Sequence, residues 1–277
     1  MPRPGQTLSR RDYARLLRRS TVSLRKRSGS LTADTSPRQV HGARVAVRRY
    51  LVLASLLPRK LRTAPDRAAA KSLASLLLDQ TSPVRDLDVI GDTMSGAGIA
   101  PPKSLRRQDA RKRRSLMVAA AKTGRRLSRA VPDPPPRAEL SRGRLARRIE
   151  SRRAHLFGLA SHELSAVLAD ERDKDSLHRL RVSLKKARYL SEALGDDAGA
   201  ALLAESQDSL GLIHDLDAAS AELKESGGDG SAADEGGRIL SARSREYAAF
   251  SALRAPALAS LLAGRSRHGP EEPPRDA

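Results

Sequence analysis

The chain contains no cysteine and no tryptophan, and only four tyrosines and two phenylalanines among its 277 residues. Without cysteine there is no disulfide framework and no thiolate metal site. The six aromatic residues, Tyr13, Tyr50, Phe157, Tyr189, Tyr247 and Phe250, are too few to build a stacking platform for single-stranded bases. No run approaches the roughly 18 consecutive apolar residues that span a bilayer. The opening stretch MPRPGQTLSRRDYARLLRRS lacks an apolar core of signal-peptide length. The expectation is a cytoplasmic protein with no membrane partner.

Acidic residues are also short, 32 against 52 basic ones, which leaves a formal net charge of +20 and a pI near 11.2. Only ten of the basic residues are lysine, so 42 are arginine. The planar guanidinium fork fits phosphate oxygens in pairs. A charge this large repels itself unless an anion neutralises it. A general bias toward arginine would raise the count, but it does not explain where the charges sit.

Alanine, leucine and arginine dominate the composition, and all are good helix formers. Strand-favouring residues are scarce. The reading is all-α. Helices are expected at about 9–27, from Ser36 onward, and at 65–81, 104–129, 138–169, from Asp173 onward, 197–212 and 237–254. Ser36 can cap, Pro37 suits the first turn, and Gln39 completes a capping box. Breaks fall at GSLTADTS (29–36), SGAGIAPP (95–102), the stiff VPDPPPR (131–137) and SGGDGSAADEGG (226–237).

The chain repeats itself. VHGARVAVRRYL starts at Val40, and LHRLRVSLKKARYL starts 137 residues later at Leu177. VRDLDVI starts at Val84, and IHDLDAA starts 129 residues later at Ile213. The two echoes keep their order on either side of the proline-rich linker. This divides the chain into helical halves at 1–135 and 136–264, with a disordered tail at 265–277.

At about 100° per residue, His41, Arg44 and Arg48 share one helical stripe, beside the apolar stripe of Val40, Val47 and Leu51. His178, Arg181, Lys185 and Arg188 repeat the pattern beside Leu177 and Leu184. These cations flank the core, where a packed helix would hold them at a seam or cavity edge. Like charges three and four residues apart repel, and phosphate would compensate them through charge-assisted hydrogen bonds. Alternatively, the side chains snorkel past the core into water. The two histidines can donate to phosphate, or to a backbone carbonyl that merely orients the helix.

Two further stretches are dense in charge: Arg106, Arg107, Arg111, Lys112, Arg113 and Arg114, and then Arg142, Arg144, Arg147, Arg148, Arg152 and Arg153. Arg107, Arg111 and Arg114 stand at helical spacing and are expected to face a ligand in part. Asp86, Asp88, Asp215 and Asp217 suggest either a metal site or, as such residues more often serve, helix caps and ion pairs.

These motifs, VHGARVAVRR, VRDLDV, LHRLRVSLKKARYL and IHDLD, resemble the CHAD family, the conserved histidine α-helical domain, over about residues 8–262. The resemblance implies two pseudo-symmetric four-helix bundles flanking a basic central cavity that binds inorganic polyphosphate, and association with polyphosphate granules. By family motif it implies His41, Arg44, Arg48, Arg49, His178, Arg181, Lys185, Lys186 and Arg188 as ligand contacts, to which Arg111 is added from its spacing. The sequence departs from its own repeat at Lys185 and Lys186, which replace Arg48 and Arg49, and at His214, which replaces Arg85. The Glu-x-Glu-x-Lys signature of the CYTH triphosphatase domain that often accompanies this family is missing, and the chain leaves no room for that domain.

The expected function is therefore a non-catalytic polyphosphate binder with no metal and no cofactor. A non-specific nucleic-acid binder is the alternative, since charge alone binds DNA, but helix-turn-helix and zinc signatures are lacking. A metal-dependent phosphohydrolase built on His214 and Asp215 would need several convergent ligands, and the repeat offers Arg85 and Asp86 in their place.

Overall fold

The computed structural model describes residues 8–96, 103–140, 142–225 and 231–264. Among them there is no strand. The helices are α1 (Arg10–Gly29), α2 (Pro37–Ser55), the short α3 (Arg59–Arg62), α4 (Pro65–Gly96), α5 (Lys103–Ala130), α6 (Arg142–Ala169), α7 (Lys174–Leu194), α8 (Asp197–Glu225), α9 (Ser231–Ala249) and α10 (Ala255–Gly264). A π turn over Phe250–Arg254 joins the last two. Pro256 begins the following turn and has no N–H to give to the Ala252 carbonyl, a recognised cause of such local rewinding.

Local chemistry sets several boundaries. Ser9 caps α1 by accepting from the Asp12 backbone N–H at 3.1 Å. Ser36 and Gln39 form the expected capping box, each side chain taking the other's backbone N–H. Asp173 caps α7 through the Ser176 N–H at 2.9 Å. Gly195 ends α7 at φ 73°, a left-handed conformation that glycine adopts without steric cost.

Three expectations about helix ends are corrected. α4 does not stop at 81 but runs through Pro83 to Gly96. The proline leaves the Asp79 carbonyl without its usual partner, and packing of α4 against α2, α5 and α8 outweighs that loss. α8 continues past 212 to Glu225. α9 starts at Ser231 and takes in Gly236 and Gly237, where the sequence suggests a loop; its contacts with α8 offset the glycine cost of about 1 kcal/mol each. Of the expected loop at 95–102, Ser95 and Gly96 are helical and the remainder lies outside the described residues. The tail at 265–277 also lies outside them.

The apolar stripes pack the helices in two sets. α1 lies on α2 and α5, and α4 on α2 and α5. α6 lies on α7 and α10, and α8 on α7, α9 and α10. The sets meet where α2 packs on α7 and α4 on α8. Val40, Val47, Leu177 and Leu184, the apolar residues of the two motifs, are buried in the core as their spacing predicts. The proline-rich linker is strapped down by arginines. Arg25 donates to the Val131 carbonyl at 2.6 Å and to Asp133 at 2.8 Å, and Arg67 donates to the Asp133 carbonyl at 2.9 Å.

Two matched clamps lock each set. Arg113 of α5 donates to Asp88 of α4 at 2.6 Å and to the Thr35 carbonyl, just before α2, at 2.8 Å. Arg243 of α9 donates to Asp217 of α8 at 2.9 Å and to the Glu171 carbonyl, just before α7, at 2.6 Å. The second aspartate of each Asp-Leu-Asp is thus an ion-pair partner, not a cap. Asp88 is 3% exposed and the Arg243 side chain 9%. Removing one partner would strand a buried charge at a cost of about 3 kcal/mol. Asp217→Ala should lower the thermal midpoint by roughly 6–10 °C, while Asp208→Ala on the exposed face of the same helix should leave it nearly unchanged. Thermal melts followed by circular dichroism check both.

Candidate anion-binding cleft

The α2–α7 and α4–α8 contacts bring the two motif helices and the two Asp-Leu-Asp segments together. Several charges act across this seam: Lys185 on His41, Arg181 on Arg44, and Arg48 on Lys185. His41 is pulled below its ordinary pKa by burial and by Arg85, Arg48, Arg44 and Lys185. Arg181 is lowered by burial, with Arg48 and Arg85 adding to the effect and Asp215 and Asp86 opposing it. Lys185 is pulled down to about 6 by burial, then by Arg181, Arg48, Arg44 and Arg188. His214 falls to about 4 through burial, Arg181, His178 and Lys185. The His178 and His214 rings stand 6.0 Å apart, tilted by 55°.

Two carboxylates share the cleft. Burial raises the pKa of Asp86 and of Asp215, while Arg44 and Arg181 pull the first back and Arg181, Arg85 and Lys185 the second. Cations still outnumber these acids. Arg44, Arg85, Arg181 and Lys185 face Asp86 or Asp215, Arg48 and Arg188 act on Lys185, and histidines stand at the edge.

The two equivalent arginines are held differently. Arg44 is only 8% exposed, and its Nη1 donates to the Leu78 carbonyl and the Thr81 hydroxyl, both at 2.7 Å. Its guanidinium is lowered to about 10, chiefly by burial, and remains charged at neutral pH. The expectation that the whole stripe merely flanks the core is therefore corrected for Arg44, which is anchored in the interior of its half. In the second repeat the position matching Thr81 is Leu210. Arg181 lies alongside Gly211 with its Nε buried and without a hydrogen-bond partner. Arg181 therefore has a donor in Nε that no partner takes up, where Arg44 is tied through Nη1.

Of the remaining expected contacts, Arg188 reaches the seam. It acts on Lys185, lies 5.0 Å over the Tyr189 ring, and sits 3.5 Å from Glu192. Arg49 is drawn instead into an ion pair across the two helices, donating twice to Glu192 at 3.2 and 2.8 Å. Lys186 turns to the far side of α7, beside Arg152. Arg111 is exposed on α5. Arg113 is a clamp residue, Arg114 lies 3.6 Å from Asp34, and the side chains of Arg106, Arg107 and Arg142 lie outside the described residues. Arg85 and His214, which the sequence marks as a departure from the repeat and not as ligand contacts, also belong to the cleft. The available signal was their shared place, one residue before each Asp-Leu-Asp.

Fold and cleft together define an all-α protein with a basic seam between its two helix sets. The sequence pattern of the CHAD domain matches residues 15–224, and the chain belongs to the CHAD family. The crystal structure of the CHAD domain from the plant Ricinus communis is similar in fold, with a TM-score of 0.54 and 18% identity over 93% of each chain. No curated protein sequence matches the chain. Among the described residues no helix is long and apolar enough to cross a membrane.

Lys185 makes the cleft pH-sensitive. A lysine whose folded pKa is depressed binds fewer protons than the unfolded chain, so its contribution to stability falls as pH drops from about 10.5 toward 6. An anion in the seam reverses this by restoring the proton. Lys185→Met should raise the thermal midpoint of the free protein at pH 7. It should also reduce the proton uptake on anion binding that buffers of different ionisation enthalpy reveal by calorimetry.

Proposed function

We propose that this protein binds inorganic polyphosphate, without hydrolysing it, in the cleft between α2, α4, α7 and α8. The carrying observation is the convergence of Arg48 and Arg85 with Arg181 and Lys185 from the other motif segments, Arg181 lying in the field of Arg48 and Arg85, and Lys185 in that of Arg181 and Arg48. In this reading residues 1–135 and 136–264 are pseudo-symmetric halves, and one phosphate chain threads between them. Arg48, Arg181, Lys185 and Arg188 supply cationic donors, and His41 and His178 stand exposed at the rim. Arg44 supplies field and rigidity. A place on polyphosphate granules follows from that ligand.

A phosphate chain asks for charge and direction, not for base recognition. All six aromatic side chains are buried, Tyr247 the least so at 9% exposed. None is available to stack a base, which supports polyphosphate over single-stranded nucleic acid. The phosphohydrolase reading is weakened because, among the described residues, no three metal-ligating side chains come together.

The test is a titration with long-chain polyphosphate at two salt concentrations, with duplex DNA as competitor. Arg48→Glu with Lys185→Glu should weaken binding at least tenfold and make the salt dependence shallower by a slope of roughly 0.7 per lost contact. Arg125→Glu with Arg126→Glu, exposed on α5, removes the same charge and should change little. Equal losses in both variants, or DNA competing as well as polyphosphate at matched charge, would reduce the site to a generally basic surface.

A further inference from the structure

A second concentration of like charge lies on the other side of α7. Arg144, Arg148 and Arg152 stand four residues apart on α6 and so form one stripe. Arg62 of the short α3 faces Arg148 and Arg152, and Lys186 of α7 faces Arg152. Apart from the Tyr13 hydroxyl, the strongest charges acting on Arg148, Arg152 and Lys186 are other cations. Burial and this mutual repulsion lower all three.

Part of the cluster has a structural role. Arg148 donates through Nε to the Leu56 carbonyl at 2.7 Å, and Arg62 donates to the Ser55 carbonyl at 3.1 Å. Both therefore cap the negative end of α2. That role leaves donors over. Arg148 Nη2 and Arg152 Nε are buried with no hydrogen-bond partner, and a guanidinium cannot shed its charge to escape the repulsion. The next residue, Arg153, shows the contrasting arrangement, since it lies 3.4 Å from Asp196. Capping does not account for Arg144, Arg152 or Lys186.

We propose that Arg62, Arg144, Arg148, Arg152 and Lys186 form a second phosphate-binding site, on the α3–α6–α7 face, that takes a further segment of the polyphosphate chain held in the cleft. This rests on the polyphosphate reading of the cleft. Lys185 and Lys186 are neighbours on α7 about 100° apart, so one helix presents a cation to each site and the chain can pass from one to the other around it. The bonds from Arg62 and Arg148 to the end of α2 fix the second site relative to the helix that carries Arg48.

Inorganic tripolyphosphate is short enough to occupy each site separately, and calorimetry counts the sites. The intact protein should show two binding events. Arg144→Gln with Arg152→Gln leaves both carbonyl bonds in place and should abolish one event without lowering the thermal midpoint. On long-chain polyphosphate it should make the salt slope shallower by roughly 1.4. Arg48→Gln with Lys185→Gln should abolish the other event only. A single event in the intact protein, unaffected by Arg144→Gln with Arg152→Gln, overturns the second site and leaves the cleft standing. Two events, neither of them lost in Arg48→Gln with Lys185→Gln, would overturn the cleft reading instead.

Discussion

Mutual repulsion among Arg44, Arg48, Arg85, Arg181 and Lys185 is the constraint around which this fold is arranged. Five cations drawn from three helices would move apart in a loosely packed bundle. Apart from the bonds of Arg44 to Leu78 and Thr81, they are held by interactions that do not involve them. The Asp88–Arg113 and Asp217–Arg243 pairs tie α4 to α5 and α8 to α9, and each also grips the turn that leads into a motif helix. The capping box at Ser36 and the cap at Asp173 fix where those helices begin. The apolar stripes then set their rotation, so that His41 and His178 end up on the exposed side of a shared seam.

Each Asp-Leu-Asp divides two tasks between its acids. The first, Asp86 or Asp215, faces the cations and moderates their repulsion. The second, Asp88 or Asp217, belongs to the clamp. Two residues apart on a helix, the acids point about 200° apart, so one motif serves both the inside and the outside of its helix. This accounts for the motif's recurrence with its spacing intact while the residue before it changes from Arg85 to His214.

Much of this was legible in the sequence because it depends on local chemistry and periodicity. The Ser36-Pro37-Gln39 start, the Asp173 start, the all-α class and the burial of Val40, Val47, Leu177 and Leu184 all follow from residues within a few positions of one another. The illegible parts depend on distant partners. Nothing near Pro83 says that α2, α5 and α8 will hold α4 together past it. Nothing near Arg49 announces Glu192, 143 residues away. Arg44 and Arg181 look equivalent in their motifs, and only Thr81 against Leu210 on another helix separates an anchored guanidinium from one with a spare donor.

The exchange of Arg48 for Lys185 between the repeats gains meaning from the same geometry. Two arginines at these places would both stay charged at any physiological pH, and their repulsion would act on the empty cleft at all times. A lysine in the same surroundings can release its proton when no anion is present and recover it when one arrives. In the polyphosphate reading, the fork geometry lost at Lys185 would be exchanged for a charge that answers to occupancy. In the same reading, Arg48 and Arg181 would keep the permanent field that draws an anion in, and Lys185 would gain charge as the anion binds.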